Sequence, residues 1–408
     1  MRVCCFCGKK IETKENEDVK IDDIMMISQD EDYAICGQCL KEGYSTLLEA
    51  MKEEEIEIDE DLTPKNLKDR LDQWIIGQDL AKKRLAIAIY DHYKRIHQPV
   101  NIDDDVVIEK SNIILIGSTG SGKTALLKAL SKELDLPLLI EDVTTITTTG
   151  YQGRNIEDVL SGLLSETNGD VDLAQQGIVL LDEGDKLRKQ PDASGNRDVK
   201  GEGVQQGLLK VVEGGVFDVK YKGMPIKFDT SNVLFILAGA FEGIEKIIAK
   251  RQKEKANIKT NGGFLAPIAS AKDEKGFNDY ILDVKHIDLK NYGMMPELLG
   301  RFPVITPLQE LSVEALVEIL TEPKNAIVSQ IKKSFGFDNV EIEFTKGALQ
   351  AIAKKAKERQ IGARALRSII EEIIEDAKFE CPGSDIKKVI INDYLQLKYI
   401  KNEEEKEI

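Results

Sequence analysis

The chain has 408 residues, enough for two or three domains at about 150 residues each and for a full buried core. Its 56 lysine and arginine residues face 72 aspartate and glutamate residues, a formal net charge of −16; that balance argues against a phosphate-backbone binder, and no nucleic acid is expected as a partner. No run of about 18 apolar residues suggests a membrane span, and Met1-Arg2-Val3-Cys4 starts no apolar signal core, so the expectation is a cytoplasmic protein with no membrane partner.

In chain order, the first feature is a pair of Cys-x-x-Cys knuckles, Cys4/Cys7 and Cys36/Cys39. Four thiolates so spaced suit one tetrahedral Zn²⁺, and four cysteines leave no open position for catalysis. Residues 8–35 separate the knuckles, longer than the usual spacer of about 15–20 residues. The excess is polar (Thr13-Lys14-Glu15-Asn16-Glu17-Asp18) and reads as a surface insertion. Cys5 could compete with Cys4, but Cys4 keeps the spacing. Residues 1–50 are thus expected to be a structural zinc-binding domain that needs its metal to fold. Residues 51–63 are strongly acidic and read as a solvated linker.

An α/β domain is expected over 64–306. It opens with a helical segment from Thr63 or Pro64, then Ile75-Ile76-Gly77-Gln78, then a long helix from Asp79 to Ile96. The apolar run Asn112-Ile113-Ile114-Leu115-Ile116 leads into Gly117-Ser118-Thr119-Gly120-Ser121-Gly122-Lys123-Thr124, and Ala125 to Leu130 reads as helix. Strand, glycine-rich loop and helix together are the context of a phosphate-binding loop. Backbone N–H groups of Ser118, Thr119, Gly120, Ser121 and Gly122 curl around a polyphosphate, and the helix N-terminus adds partial positive charge. Lys123 reaches the β- and γ-phosphates and Thr124 holds Mg²⁺. Further on, Gly177-Ile178-Val179-Leu180-Leu181-Asp182-Glu183 reads as a strand buried on both faces of a parallel sheet. Asp182 at its end would join the Mg²⁺ shell and Glu183 would polarise the attacking water as general base. Val233 to Ala238 is a further core strand. Residues 251–279 turn to Lys, Gly, Asn and Asp with little periodicity and read as a long loop.

After Pro307 the pattern becomes helical, and a small helical domain is expected over 307–400. Leu366, Ile369, Ile370, Ile373, Ile374 and Ala377 share one helix face there. Residues 401–408 form an acidic tail.

The motifs occur in a telling company: Tyr90-x-His92-Tyr93-Lys94-Arg95, Gly150-Tyr151-Gln152-Gly153, Gly201 to Gln206, Pro296-Glu297-Leu298-Leu299-Gly300-Arg301-Phe302-Pro303 and Gly362-Ala363-Arg364. In that order, behind a four-cysteine module, they resemble the ClpX family of AAA+ protein unfoldases over nearly the whole chain. The resemblance implies ATP, Mg²⁺ and Zn²⁺ as cofactors and a homo-hexamer that threads unfolded or tagged proteins through its pore. It implies that Ile76, Gly77 and Gln78 pack on adenine. Arg301 resembles the arginine finger that reaches a neighbour's γ-phosphate, and Arg364 the arginine that senses the γ-phosphate in its own chain. Tyr151 resembles the pore aromatic that grips a passing chain, and Arg197 to Gly203 a second pore loop.

Three positions depart from the family pattern. Gln152 stands where a valine is usual, and Gly184 where a larger apolar residue is usual. The tripeptide that docks a ClpP-type peptidase reads Gly262-Gly263-Phe264, with Gly262 in place of the aliphatic anchor. The expected function is therefore an ATP-dependent unfoldase delivering chains to a ClpP-type peptidase, with a stand-alone remodelling chaperone as the alternative. A nucleic-acid motor and a non-hydrolysing nucleotide switch are further alternatives. The acidic balance and pore aromatic oppose the first, and intact Lys123, Asp182, Glu183, Arg301 and Arg364 oppose the second.

Overall fold

The computed structural model describes residues 2–11, 25–27, 34–43, 62–97, 108–134, 136–146, 155–189, 199–260 and 276–401. The expectations for Tyr151, Gln152, Arg197, Gly262 to Phe264 and most of the acidic linker and acidic tail fall outside those residues, while 199–203 of the expected second pore loop open a helix. The chain divides into an N-terminal unit and a larger unit over Asp61–Ile96 and Val106–Ile408.

The larger unit is built on a five-stranded parallel sheet. Its strands are β1 (Ile113–Ile116), β2 (Leu138–Asp142), β3 (Ile178–Asp182), β4 (Leu234–Gly239) and β5 (Val304–Pro307), in the order β5-β1-β4-β3-β2. All residues of β1 and β4, and the first four of β3, are buried. That is why these segments read as unbroken apolar runs rather than alternating ones. Alternation survives in which face each residue serves. Ile114, Ile116, Val179, Leu181, Phe235 and Leu237 join one core, and Ile113, Leu115, Ile178, Leu180, Leu234 and Ile236 join the other.

Helices cover both faces. On the second face lie α1 (Pro64–Asp72), α2 (Asp79–Ile96) and α3 (Lys123–Leu134), contributing Leu67, Leu71, Leu85, Ile89, Leu126 and Leu130. The first helix starts where its chemistry dictates: Thr63 accepts from the Asn66 N–H and proline sits at the first turn. On the opposite face, α4 (Ile156–Glu166) and α5 (Val199–Glu213) contribute Leu160, Leu163, Leu208 and Val212. Each such Leu or Ile, fully buried, contributes about 1.5–3 kcal/mol.

One sequence expectation needs correction here. Residues 251–260 are not loop but the second half of a helix, Ile244–Thr260, and Phe277–Ile281 is a short helix. Arg251 anchors that segment through Asp288, at 2.7 Å, and Asp283, at 3.0 Å. An antiparallel hairpin, Val216–Tyr221 with Met224–Asp229, turns on Lys222 and Gly223, both at positive φ.

After a short helix α6 (Pro296–Gly300) and β5, the C-terminal part contains α7 (Val313–Thr321), α8 (Lys346–Glu358) and α9 (Arg364–Glu380). Leu366, Ile369, Ile370, Ile374 and Ala377 on α9 are buried together with Leu316, Leu320, Ile352 and Ala356. A three-stranded sheet joins them, from β6 (Glu341–Phe344), β7 (Ile386–Ile391) and β8 (Leu397–Lys401). The expectation of a purely helical domain is corrected by this sheet, whose strands are short and whose β6–β7 pairing joins residues far apart along the chain.

In the N-terminal unit, Arg2–Val3 pairs antiparallel with Lys10–Ile11, and Met25–Ile27 with Ala34–Cys36. Gly8, at φ +73°, turns the first knuckle, with its N–H donating to Cys4 O at 2.9 Å.

Among the described residues, no helix is long and apolar enough to cross a membrane.

Candidate functional site

The phosphate-loop residues stand at the carboxyl end of β1, between the sheet and α3. The Thr124 hydroxyl donates to Asp182 Oδ2 at 3.3 Å, so the loop and the end of β3 meet where the sequence places a magnesium ion. Two oxygens that close can share one octahedral shell, whose ligands lie about 3 Å apart at Mg–O distances of ~2.1 Å. Lys123 Nζ donates to Gly117 O at 2.5 Å and Ser118 O at 3.1 Å, inside its own loop. Burial lowers its pKa and the Asp182 carboxylate opposes that shift, while Arg364 pushes in the same direction as burial. A polyphosphate here would satisfy Lys123 and Arg364 together.

Glu183 is exposed and holds a left-handed backbone, φ +58° and ψ +29°. Such a conformation costs a non-glycine residue about 1–3 kcal/mol and persists only where its surroundings impose it. Here they do. The Glu183 N–H donates to Asp182 Oδ1 at 2.9 Å, and a tight turn, Gly184–Leu187, follows at once. Buried Asp185 then accepts the Ala240 N–H at 3.1 Å, which ties this turn to the end of β4. Sequence reasoning missed Asp185, although its place two residues after Glu183 was a usable signal.

The segment expected to face adenine lies beside the loop, with Ile76 half-buried and Gly77 at φ +65°. The Gln78 side chain is buried. Its Nε2 donates to Ser121 O at 3.1 Å and Gln309 O at 2.8 Å, and its Oε1 accepts the Gln309 N–H at 2.9 Å. One amide thus joins the phosphate loop to the connection between β5 and α7.

The C-terminal part closes over the loop from the other side. The Ala363 N–H donates to Gly120 O at 3.1 Å. A β-carbon on Gly120 would lie 2.1 Å from Ile361 O, and one on Gly362 would lie 2.7 Å from Gly120 O, so both positions require glycine. Arg364 follows directly, exposed at the first turn of α9. The Lys324 N–H also donates to Gln73 O at 3.0 Å, next to the Ile75-Ile76 segment.

Arg301 is not beside this chain's phosphate loop. It follows α6, and its Nε and Nη2 donate to Glu213 Oε1 at 3.0 and 2.7 Å. Buried Asn112, just before β1, donates to Arg301 O at 2.9 Å and accepts the Phe235 N–H at 3.0 Å.

In the N-terminal unit the sulfurs of Cys4, Cys7, Cys36 and Cys39 all lie within 4.8 Å of one another, and Cys5 stands outside, exposed. Tetrahedral zinc at ~2.3 Å from each sulfur needs S···S separations near 3.8 Å, and Cys7 and Cys36 are 3.6 Å apart. Backbone N–H groups of Cys7 and Cys36 hold the Cys4 thiol down at about 6, whereas hydrogen bonds from Cys7 and Cys36 push Cys39 up. The donor set fits zinc: four cysteine sulfurs lie at this spacing, and a cation would displace their protons.

Comparison with known proteins places this geometry. Residues 108–305 match the AAA domain (Cdc48 subfamily), and residues 311–381 match the C-terminal, D2-small domain, of ClpB protein. The ATP-dependent Clp protease ATP-binding subunit ClpX of Treponema denticola is 41% identical over 405 residues, covering 96% of this chain and 92% of that protein. Proteins of the same name from Borrelia duttonii and Borrelia recurrentis are each 41% identical over 399 residues, covering 95% of this chain and 89% of theirs.

Proposed function

Since the chain belongs to the ClpX family of AAA+ ATPases, we propose that it unfolds protein substrates by threading them through a homo-hexameric pore and hands them to a ClpP-type peptidase. The protein is an ATPase that uses ATP with Mg²⁺, and its four-cysteine cluster could bind zinc.

The observation that carries the reading is the approach of Thr124 to Asp182 at 3.3 Å beside Lys123. A hydroxyl, a carboxylate and a half-buried cation converge at the end of a parallel sheet, the arrangement a nucleoside triphosphate with magnesium needs. Magnesium bound there would neutralise charge on the phosphates. Lys123 and Arg364 hold the polyphosphate, and Glu183 takes the proton of the attacking water. Arg301 serves the γ-phosphate bound by the adjacent subunit, where an arginine is worth about 10³–10⁵ in rate. Tyr151 grips the moving chain.

Closure of the C-terminal part on the loop supports the coupling of hydrolysis to movement. Gly120 and Gly362 touch through backbone, and Gln78 links Ser121 to Gln309. A change of loop conformation at phosphate release therefore moves both junctions at once.

The deciding experiment follows a tagged, stably folded fluorescent protein, with ATP and with or without a ClpP-type peptidase. Permanent loss of fluorescence that requires both supports delivery to the peptidase. Loss followed by refolding, whether or not peptidase is present, supports a stand-alone remodelling chaperone, the reading that Gly262 favours. ATP turnover with no loss for any tag tested would overturn both.

A further inference from the structure

We infer that Glu213 is a positioning residue for Arg301: its carboxylate holds one edge of the guanidinium and leaves the other end free for a phosphate on a neighbouring copy. The inference rests on the proposed role of Arg301 and adds to it the group that aims the side chain.

Both backbones are rigid at this contact. Arg301 lies between Leu299 and Phe302, which are buried, and its carbonyl is bound by buried Asn112. Its N–H donates to Leu298 O at 3.0 Å. Glu213 ends α5 directly after buried Val211 and Val212, and Gly214 at φ +104° turns the chain away. Only the two side chains retain freedom. Unrestrained, an arginine samples many rotamers and must lose that freedom each time it engages a phosphate.

The way the pair is joined decides what it leaves over. Nε and Nη2 both donate to the same Glu213 oxygen, at 3.0 and 2.7 Å. Among the described residues no hydrogen bond engages Nη1, so Nη1 and the second Nη2 proton point away from the carboxylate. That end presents two parallel N–H groups, the fork that binds two phosphate oxygens. The arginine side chain is half exposed, at 53%, and the glutamate 40%, so the contact lies open to a partner. Exposed ion pairs add little to stability. Here the gain is orientation: a finger held ready costs less ordering in the transition state.

The test compares ATP hydrolysis by the assembled full-length protein, the Glu213→Ala and Glu213→Gln variants, Arg301→Ala, and the double variant Glu213→Ala/Arg301→Ala, with assembly followed by sedimentation. Removing Glu213 should lower kcat by about tenfold, the scale of a lost rotamer restraint, with KM for ATP within about twofold. Glu213→Gln keeps an acceptor oxygen at the same reach and should recover most of the rate. The double variant should be no slower than Arg301→Ala alone, because Glu213 acts only through the arginine. Unchanged or faster turnover in Glu213→Ala, with Arg301→Ala collapsed, overturns the inference and leaves the finger intact. A double variant slower than Arg301→Ala also overturns it. Full activity in Arg301→Ala removes the finger itself, a separate outcome.

Discussion

Gly184 and Leu237 occupy one space: a β-carbon on Gly184 would fall 2.5 Å from Leu237 Cδ1. Gly184 sits in the turn after Asp182-Glu183, where the family pattern has a larger apolar residue, and Leu237 lies buried on β4 alongside. The glycine is therefore half of a matched pair, its missing side chain filled from the neighbouring strand. Gly184→Ala alone should overpack the turn at a cost of about 1–3 kcal/mol. Leu237→Ala alone should leave a cavity costing about 2–5 kcal/mol. Together they should cost clearly less than the sum, because each relieves the defect of the other. Thermal melting of the four proteins measures the coupling; strict additivity would refute it.

The left-handed backbone at Glu183 places an exposed carboxylate at the end of β3 beside Asp182. Glu183→Gln should leave nucleotide binding unchanged while phosphate release falls by about 10²–10⁴, the range for loss of a general base. Binding of a fluorescent nucleotide and release of phosphate, measured on one preparation, check both halves. Turnover near the parent rate would move the base elsewhere.

Gln78 satisfies three backbone groups with one buried amide. Replacing it with Leu strands Ser121 O and both polar groups of Gln309, at about 1–3 kcal/mol for each unsatisfied group. Since Ser121 belongs to the phosphate loop, the loss should appear as weaker nucleotide binding, about tenfold or more in Kd. An unchanged Kd by calorimetry would show that the loop does not depend on this link.

Lys110 lies half-buried against the turn before β4, where its Nζ donates to Thr230 O at 2.9 Å. Burial, with Arg95 nearby, lowers its pKa to about 7, against the ordinary 10.5 that it regains on unfolding. Between those values the unfolded chain binds the extra proton, so stability contributed at this site rises with pH from about 7 to 10.5. Below pH 7 both states carry the charge and the penalty is complete. Lys110→Met removes the titration, and melting temperature should then climb less steeply with pH over that window. Parallel curves for the two proteins would show that Lys110 does not titrate there.

Chelating zinc should unfold the N-terminal unit, since Cys4 and Cys36 form its small buried centre together with partly buried Cys39. Apparent zinc-binding energies of ~10–16 kcal/mol exceed what so small a core can replace. Limited proteolysis should cut residues 1–50 only after chelation, while ATP hydrolysis by the larger unit persists. A protease-resistant N-terminus without zinc would contradict the fit.

What was legible in the sequence had local causes. The apolar runs of β1, β3 and β4 show because strands buried on both faces need no alternation. The knuckles show because one ion demands a fixed cysteine spacing, and α1 shows because Thr63 and Pro64 cap it. The helix through Arg251 did not, because its second half is mostly polar and its anchors, Asp283 and Asp288, lie some thirty residues on. Neither did the sheet of β6 to β8, in which β6 pairs with β7, 47 residues further along the chain.

By itself, then, the sequence determined the chemistry on hand: a lysine and threonine behind glycines, two acids behind an apolar strand, four cysteines in pairs, and arginines in recognisable company. Only the tertiary structure decided how these groups face one another. It set Thr124 against Asp182, drew Gly362 onto Gly120, turned Gln78 toward Ser121 and Gln309, and gave Arg301 to Glu213. Each contact joins residues from separate elements, and such distances follow from how layers pack around the sheet rather than from any local preference.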